Sequence, residues 1–191
     1  MKLRDYFNLE KNLVFYGSYH SNPVNIGIHL LCIWNILWSF MYLLQFTGPI
    51  SNLLPTDVIV ENYAFYIFSL YIVIFLITDL IAGLIGSLLI VGIYFLTLSS
   101  VQGGALIAGF NGWKLSLGVH LSAWILQFIG HGVFEKRAPA LLDNVFQAFI
   151  TAPLFVLLEV MFFFGYKKDL YQSCLPKIKE NVKKFHRKKR S

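Results

Sequence analysis

The feature that most constrains this chain is the segment Ile26–Phe46, which contains no Asp, Glu, Lys or Arg. About 20 consecutive apolar residues are enough for a helix to cross the hydrocarbon core of a bilayer. The whole chain is 57% hydrophobic and 14% charged, whereas soluble domains carry about 25% charged residues. The composition therefore excludes a disordered chain, argues against an ordinary soluble enzyme, and predicts an integral membrane protein.

Four further apolar segments follow the first one and are separated by polar or glycine-rich stretches. They are Tyr63–Thr78, Leu80–Ser100, Trp113–Phe134 and Leu141–Tyr166. The segment Leu80–Ser100 carries glycines at spacings that suit close packing between helices. These are Gly83, Gly86 and Gly92. We therefore predict an all-α fold, a polytopic integral membrane bundle with four to five hydrophobic segments.

Positive charge is concentrated at the end of the chain. Residues 167–191 have a charge balance of +8, while residues 1–166 have a balance of −2. Beside long apolar segments, contact with anionic cytosolic lipid explains a basic tail better than nucleic-acid binding does. We therefore expect a membrane-embedded domain over residues 1–166, a basic cytosolic tail over residues 167–191, and no nucleic-acid partner.

The tail and the other basic flanks bear on location and topology. Lys188 and Lys189 stand fourth and third from the end, which resembles the di-lysine retrieval signal of endoplasmic reticulum membrane proteins. Basic residues in both termini and in the 132–144 loop place all three on the cytosolic side. Five spanning segments would not return the tail to that side. One explanation is that Leu141–Tyr166, which has Pro153 in its middle, is kinked, re-entrant or interfacial. The other is that the second and third segments do not both span the membrane.

Four of the five histidines fall in two clusters, one towards each end of the chain. His20 precedes Pro23, in a loop or short helix ahead of the first membrane segment. Asn25 and His29 are four residues apart and share one face of that segment. The second cluster has helical spacing throughout, which predicts one narrow polar stripe. The stripe comprises His120, Trp124, Gln127, His131 and Glu135.

Polar side chains in membrane helices usually mark function, although a single one often only bonds a neighbouring helix. Here several occur together, and neutral imidazole is a common ligand for iron, zinc or copper. Two histidines with a carboxylate are the ligands of non-haem iron oxygenases. On a straight helix, His120 and His131 are about 16 Å apart along the axis. Either the helix breaks near Gly130 or Gly132, or His120 belongs to a deeper site or substrate channel.

The residues around both clusters resemble a known family. Tyr16-x-x-Tyr19-His20, followed by Asn25 and His29, is similar to its N-terminal signature. Residues 124–131 (WILQFIGH) are similar to its second signature, as are the residues after them, Glu135, Arg137, Pro139 and Ala140. Residues 153–159 (PLFVLLE) are also similar. The family is the endoplasmic reticulum 2-hydroxy fatty acid dioxygenases of fungal type, which act in phytosphingosine breakdown.

This resemblance implies a Fe²⁺-dependent enzyme that uses O2 to remove the carboxyl carbon of a 2-hydroxy fatty acid, which leaves a fatty acid one carbon shorter. It implies an iron site formed by His20, His29, His120 and His131. Glu135 would be a ligand or would orient a histidine. We expect Arg137 to bind the substrate carboxylate, because arginine is a strong carboxylate partner, although its charge also fits a topogenic role. The other residues expected at the substrate are Asn25, Gln127 and Tyr19.

Two alternatives stay open from the sequence. A non-catalytic endoplasmic reticulum scaffold or lipid-binding protein would use its histidines only to pair helices. A zinc-dependent membrane hydrolase would use the same side chains without needing O2. For the dioxygenase, the expected partners are the 2-hydroxy fatty acid, O2 and the lipid bilayer. The sequence does not define an oligomeric state.

Overall fold

A computed structural model describes residues 7–51, 53–54, 58–145 and 147–188 of the chain. Nearly all regular structure within those ranges is helical, so the all-α prediction is confirmed. The α-helices are α1 Leu9–Tyr19, α2 Pro23–Leu44, α3 Tyr63–Thr78, α4 Leu80–Gln102, α5 Gly112–Ile129, α6 Ala152–Phe163 and α7 Lys168–Lys188. Short 3₁₀ turns span Gln45–Thr47 and Ala140–Leu142, and π-helical turns span Gly130–Glu135 and Gln147–Thr151. A two-residue antiparallel hairpin, β1 Leu106–Ile107 and β2 Phe110–Asn111, joins α4 to α5.

Polar residues cap the N-termini of the helices that form the apolar segments. The side chain of Asn22 accepts a hydrogen bond from the Val24 amide at 2.9 Å, and Pro23 occupies the first position of α2. Asp79 ends α3 and also begins α4, where it accepts a hydrogen bond from the Ala82 amide. Both patterns are typical of helix N-termini. The single capping residue between α3 and α4 makes these two helices an antiparallel pair.

Three helices in the described ranges are long and apolar enough to cross a membrane: Pro23–Thr47, Leu80–Gln102 and Gly112–Glu135. A fourth candidate is the pair Ala148–Phe163 and Lys168–Arg187, which is bent by 113°. The apolar helix α3 has 16 residues, or about 24 Å, which is shorter than the hydrocarbon core of about 30 Å. The predicted four to five segments are therefore slightly too many, because one apolar segment is short and another is broken.

The last apolar segment differs from a simple kinked helix. Pro153 lies in the first turn of α6, where its missing N–H breaks no helical hydrogen bond. The chain then turns at Gly165, which has a φ of 91°. After this turn, α7 packs on α1 and buries Cys174 and Ile178. The cytosolic location of residues 167–191 stays a prediction, and Lys189 of the di-lysine pattern lies outside the described residues.

Two of the three predicted packing glycines bring α3 and α4 together. A Cβ atom on Gly83 would lie 2.5 Å from the Phe75 carbonyl oxygen, and one on Gly86 would lie 2.7 Å from the Phe75 ring. Gly92 has no such neighbour within 4 Å among the described residues. The outer helix faces expose large apolar side chains such as Leu31 and Leu88, each 73% exposed. Such a continuous apolar exterior suits lipid contact.

Candidate metal centre

Three histidines from separate elements meet in the interior. His20 follows α1, His29 lies in the second turn of α2, and His131 lies in the π-helical turn after α5. One ring nitrogen of each lies within 4.8 Å of the others, and all three side chains are buried. The ring centroids are 4.2 to 5.0 Å apart. The start of the first membrane segment and the end of the fourth therefore meet at these histidines.

Hydrogen bonds to the backbone orient two of these rings. Nδ1 of His20 lies 2.8 Å from the Tyr16 carbonyl oxygen, and Nδ1 of His29 lies 2.9 Å from the Asn25 carbonyl oxygen. Donation of the Nδ1 hydrogen leaves the Nε2 lone pair free, which is the usual arrangement of metal-binding histidines. Nε2 of His20 and Nδ1 of His131 are buried and have no hydrogen-bond partner within the described ranges. Buried polar atoms are normally paired, so these nitrogens fit a metal ion.

Burial also sets the charge of this group, which we call the histidine trio (His20, His29 and His131). Burial lowers the pKa of His20 well below its ordinary value, and the rings of His29 and His131 lower it further. The imidazole is therefore neutral at physiological pH, which is the state that binds metal. The Tyr16 ring stacks on His20 with a centroid distance of 4.2 Å. Burial raises the pKa of Tyr16, so its hydroxyl stays protonated.

Glu135 holds the chain between two members of the trio. One carboxylate oxygen accepts hydrogen bonds from the backbone N–H and the hydroxyl of Ser21, and the other accepts from the Asn22 N–H and the Asn25 side chain. An anion at the N-terminus of α2 is also favoured by the helix dipole. These four donors favour an orienting role over metal ligation, and a catalytic role for Glu135 stays a prediction.

A glycine allows α2 and the π-helical turn to approach this closely. A Cβ atom on Gly130 would lie 2.4 Å from Oδ1 of Asn25, so any other side chain there would displace the Asn25 amide. π-helical turns within helices occur often at functional sites. The close approach places Asn25 between Glu135 and the backbone carbonyl of Tyr19, to which its amide donates at 3.3 Å.

The structure does not bring His120 to the trio. Its Nδ1 lies 2.9 Å from the Ser39 hydroxyl, and its Nε2 accepts a hydrogen bond from the Trp124 indole at 3.1 Å. The helix α5 is unbroken from Gly112 to Ile129. His120 and His131 therefore stay about as far apart as a straight helix predicts. Three of the four expected iron ligands therefore lie together, and the metal role of His120 stays a prediction.

The four predicted substrate-binding residues have different surroundings. Gln127 lines the cavity beside the trio, and its amide nitrogen is buried without a partner in the described parts of the chain. Asn25 bonds Glu135, as described above, and the Tyr19 hydroxyl donates to Asp143. The guanidinium group of Arg137 lies 3.5 Å from the centre of the Tyr19 ring and donates to the Ser18 carbonyl. Substrate contact by these residues stays a prediction, for which Gln127 has the most suitable position.

Two adjoining cavities lie next to these residues. A small one of about 60 Å³ is lined by the trio, Gln127 and Trp124. A larger one of about 370 Å³ is lined almost entirely by apolar side chains of α2, α3 and α5 and of residues 148–153. The two cavities share four lining residues, which are Ile33, Trp124, Ala148 and Ala152. A polar site thus adjoins an apolar chamber.

The sequence assigns no role to Tyr16, although it belongs to the N-terminal signature, and does not identify Ser39. The Tyr16 hydroxyl is buried without a partner in the described ranges, and the tyrosine lines the small cavity. Ser39 bonds His120 across the α2–α5 interface. Its helical register could have identified it, because positions 25, 29, 32, 36 and 39 follow one stripe of α2.

Comparison with known proteins agrees with the geometry. Residues 6–164 match the family described as 2-hydroxy-palmitic acid dioxygenase Mpo1-like. The chain belongs to this Mpo1-like family. It is also 35% identical over 163 residues to the 2-hydroxy-palmitic acid dioxygenase MPO1 of Saccharomyces cerevisiae, which covers 85% of each chain. No solved structure matches it. The resemblance expected from the two histidine clusters is therefore confirmed at the level of the family.

Proposed function

We propose that this Mpo1-like protein is an iron-dependent dioxygenase of the endoplasmic reticulum membrane. It would use O2 to remove the carboxyl carbon of 2-hydroxy fatty acids and give a fatty acid one carbon shorter. The observation that carries the proposal is the buried histidine trio beside an apolar cavity. The yeast relative, named a 2-hydroxy-palmitic acid dioxygenase, supports the substrate class, and the long apolar helices support a membrane location.

His20, His29 and His131 would hold the metal. A ferrous ion bound there would supply the redox chemistry that activates O2 and would leave coordination positions for the substrate. The protein's own contribution would be to bury all three imidazoles and to orient those of His20 and His29 through backbone hydrogen bonds. Glu135 would maintain this arrangement by fixing residues 21–25, which connect His20 to His29.

The polar end of the substrate would be positioned by groups that lack partners within the described structure. Gln127 and Tyr16 both line the small cavity, and the amide nitrogen of Gln127 and the hydroxyl of Tyr16 are buried without partners in the described ranges. Each can donate a hydrogen bond to a carboxylate or 2-hydroxyl oxygen. Apolar walls around them exclude water, which strengthens such hydrogen bonds. A substrate with a small polar head and a long apolar tail suits this arrangement.

The direct test is turnover by the full-length protein purified in detergent. The protein is incubated with Fe²⁺, O2 and 2-hydroxypalmitic acid, and the products are analysed by mass spectrometry. We expect the acid with one carbon fewer, and we expect no product under anaerobic conditions or from palmitic acid, which lacks the 2-hydroxyl group. Product formation without O2, or with Zn²⁺ alone, would contradict the proposal and favour a hydrolase.

A further inference from the structure

Both ring nitrogens of His120 are already used within the protein. The Trp124 indole N–H can only donate, so Nε2 of His120 must be the acceptor and Nδ1 must carry the hydrogen. Nδ1–H then donates to Ser39 Oγ, and the Ser39 hydroxyl lies 2.7 Å from the Asn35 carbonyl oxygen, to which it can donate. Every group in this chain of hydrogen bonds is satisfied. Neither nitrogen of His120 retains a lone pair for a metal ion.

The larger cavity extends from its border with the small cavity, at Ile33 and Trp124, to His120. On α2, its lining includes Ile33, one turn after His29, and ends at Phe40. The eleven residues from His29 to Phe40 correspond to about 16 Å of helix. On the antiparallel helix α5, the same distance separates His131 from His120. The Phe40 ring lies 6.3 Å from the His120 ring, so both helices place their last lining residues at the same end of the cavity.

The position of the cavity indicates what it holds. Its volume of about 370 Å³ falls within the range of about 300–1,000 Å³ that is usual for small-molecule sites. Phe40, Leu70 and Phe149 line it and are also exposed on the outer surface of the bundle. A lipid-like molecule could therefore enter from the bilayer without crossing water. Because the smaller cavity adjoins this one and is lined by the trio, one end of such a molecule would lie close to the three histidines.

We propose that this cavity holds the acyl tail of the 2-hydroxy fatty acid, and that His120, fixed by Ser39 and Trp124, forms part of its far wall instead of binding the metal. The inference rests on the proposed function, because it takes the reacting end of the substrate to lie at the trio. It adds a site for the tail and a physical limit on chain length. Trp124, which lines both cavities, stands where the head and the tail of the substrate meet.

The test changes the space in the cavity and leaves the trio unchanged. Ile36→Trp fills the cavity from α2, and Leu70→Trp does so from α3. The matched control is Leu31→Trp on the outer face of α2, where the side chain is 73% exposed. The ratio kcat/KM is measured for 2-hydroxy acids with ten to eighteen carbons. We expect a loss of about tenfold or more for the longest acids and little change for the shortest, since one methylene group in a filled pocket changes kcat/KM by about that factor. An equal loss at every chain length in both filling variants would overturn the inference.

Two further measurements do not depend on turnover. Anaerobic binding of palmitic acid, which lacks the reacting hydroxyl group, should weaken in Ile36→Trp and stay unchanged in Leu31→Trp. Iron content should be unchanged in His120→Gln. The inference would be overturned if the affinity for palmitic acid were the same in the wild type, Ile36→Trp and Leu70→Trp. It would also be overturned if His120→Gln lost iron. If the wild-type protein binds palmitic acid in the cavity but makes no shortened product, the proposed function fails while the assignment of the cavity stands.

Discussion

Two histidine sites lie at opposite ends of the α2–α5 pair, and they differ in the hydrogen-bond partners of their ring nitrogens. In the trio, Nδ1 of His20 and Nδ1 of His29 approach backbone carbonyls, and one ring nitrogen each of His20 and His131 has no partner in the described ranges. At the other end of the same helix pair, His120 has side-chain partners on both nitrogens. The comparison shows that a histidine in a membrane helix is a candidate ligand only when its hydrogen-bond partners leave a lone pair free.

The largest expected effect is on iron binding at the trio. In His131→Ala, we expect near-complete loss of iron and of activity, because only two of the three imidazoles remain. In His120→Gln, we expect iron content equal to that of the wild type. Metal analysis of the purified proteins measures both, and His186→Ala, which removes an exposed imidazole from α7, is the control. Equal iron loss in His131→Ala and His120→Gln would remove the distinction between the two sites.

A smaller effect is expected when the support of the trio is weakened. Glu135→Gln replaces a carboxylate that accepts from four donors with an amide that presents its own N–H groups to some of them. Loss of such a supporting group typically lowers metal affinity by about 10–100-fold. Competition with a chelator measures the affinity. The control Glu180→Gln alters an exposed carboxylate that pairs with Lys184 and should have no effect. Unchanged affinity in Glu135→Gln would show that the carboxylate does not orient the trio.

The smallest effect is expected at the His120 end. Ser39→Ala removes one hydrogen bond between α2 and α5, and interhelical hydrogen bonds in membranes contribute about 0.6 kcal/mol on average. We expect a slight loss of thermal stability in detergent and no change in iron content. Ser69→Ala is a suitable control, because the Ser69 hydroxyl bonds only the Phe65 carbonyl of its own helix in the described structure. A loss of iron in Ser39→Ala would connect His120 to the metal.

Helical spacing accounts for much of what the sequence predicted correctly. Positions 25 and 29 share a face of α2, and the stripe from His120 to His131 faces the interior cavities, because the 3.6-residue period already determines these relations. The apolar segments likewise predict the all-α class. Such features depend on residues that are close in sequence, so a single sequence is enough to show them.

Other features depend on contacts between distant segments and could not be predicted in this way. The docking of α7 on α1 uses Gly17, where a Cβ atom would lie 2.5 Å from Cδ1 of Ile178. The composition of the tail showed only its charge, which is equally compatible with a solvated segment. The hydrogen bonding of His120 also depends on a distant residue, because its partner Ser39 is 81 positions away in the sequence. Only the packing of α2 on α5 shows that both ring nitrogens of His120 already have hydrogen-bond partners.

The most direct test of the two-site account is the number of imidazoles that bind the metal. X-ray absorption at the iron edge counts them in the anaerobic Fe²⁺-loaded protein, and the spectrum is compared between the wild type and His120→Gln. The account predicts three imidazole ligands in both proteins and indistinguishable spectra. Four imidazoles in the wild type, with one fewer in His120→Gln, would show that His120 reaches the metal and would contradict the account.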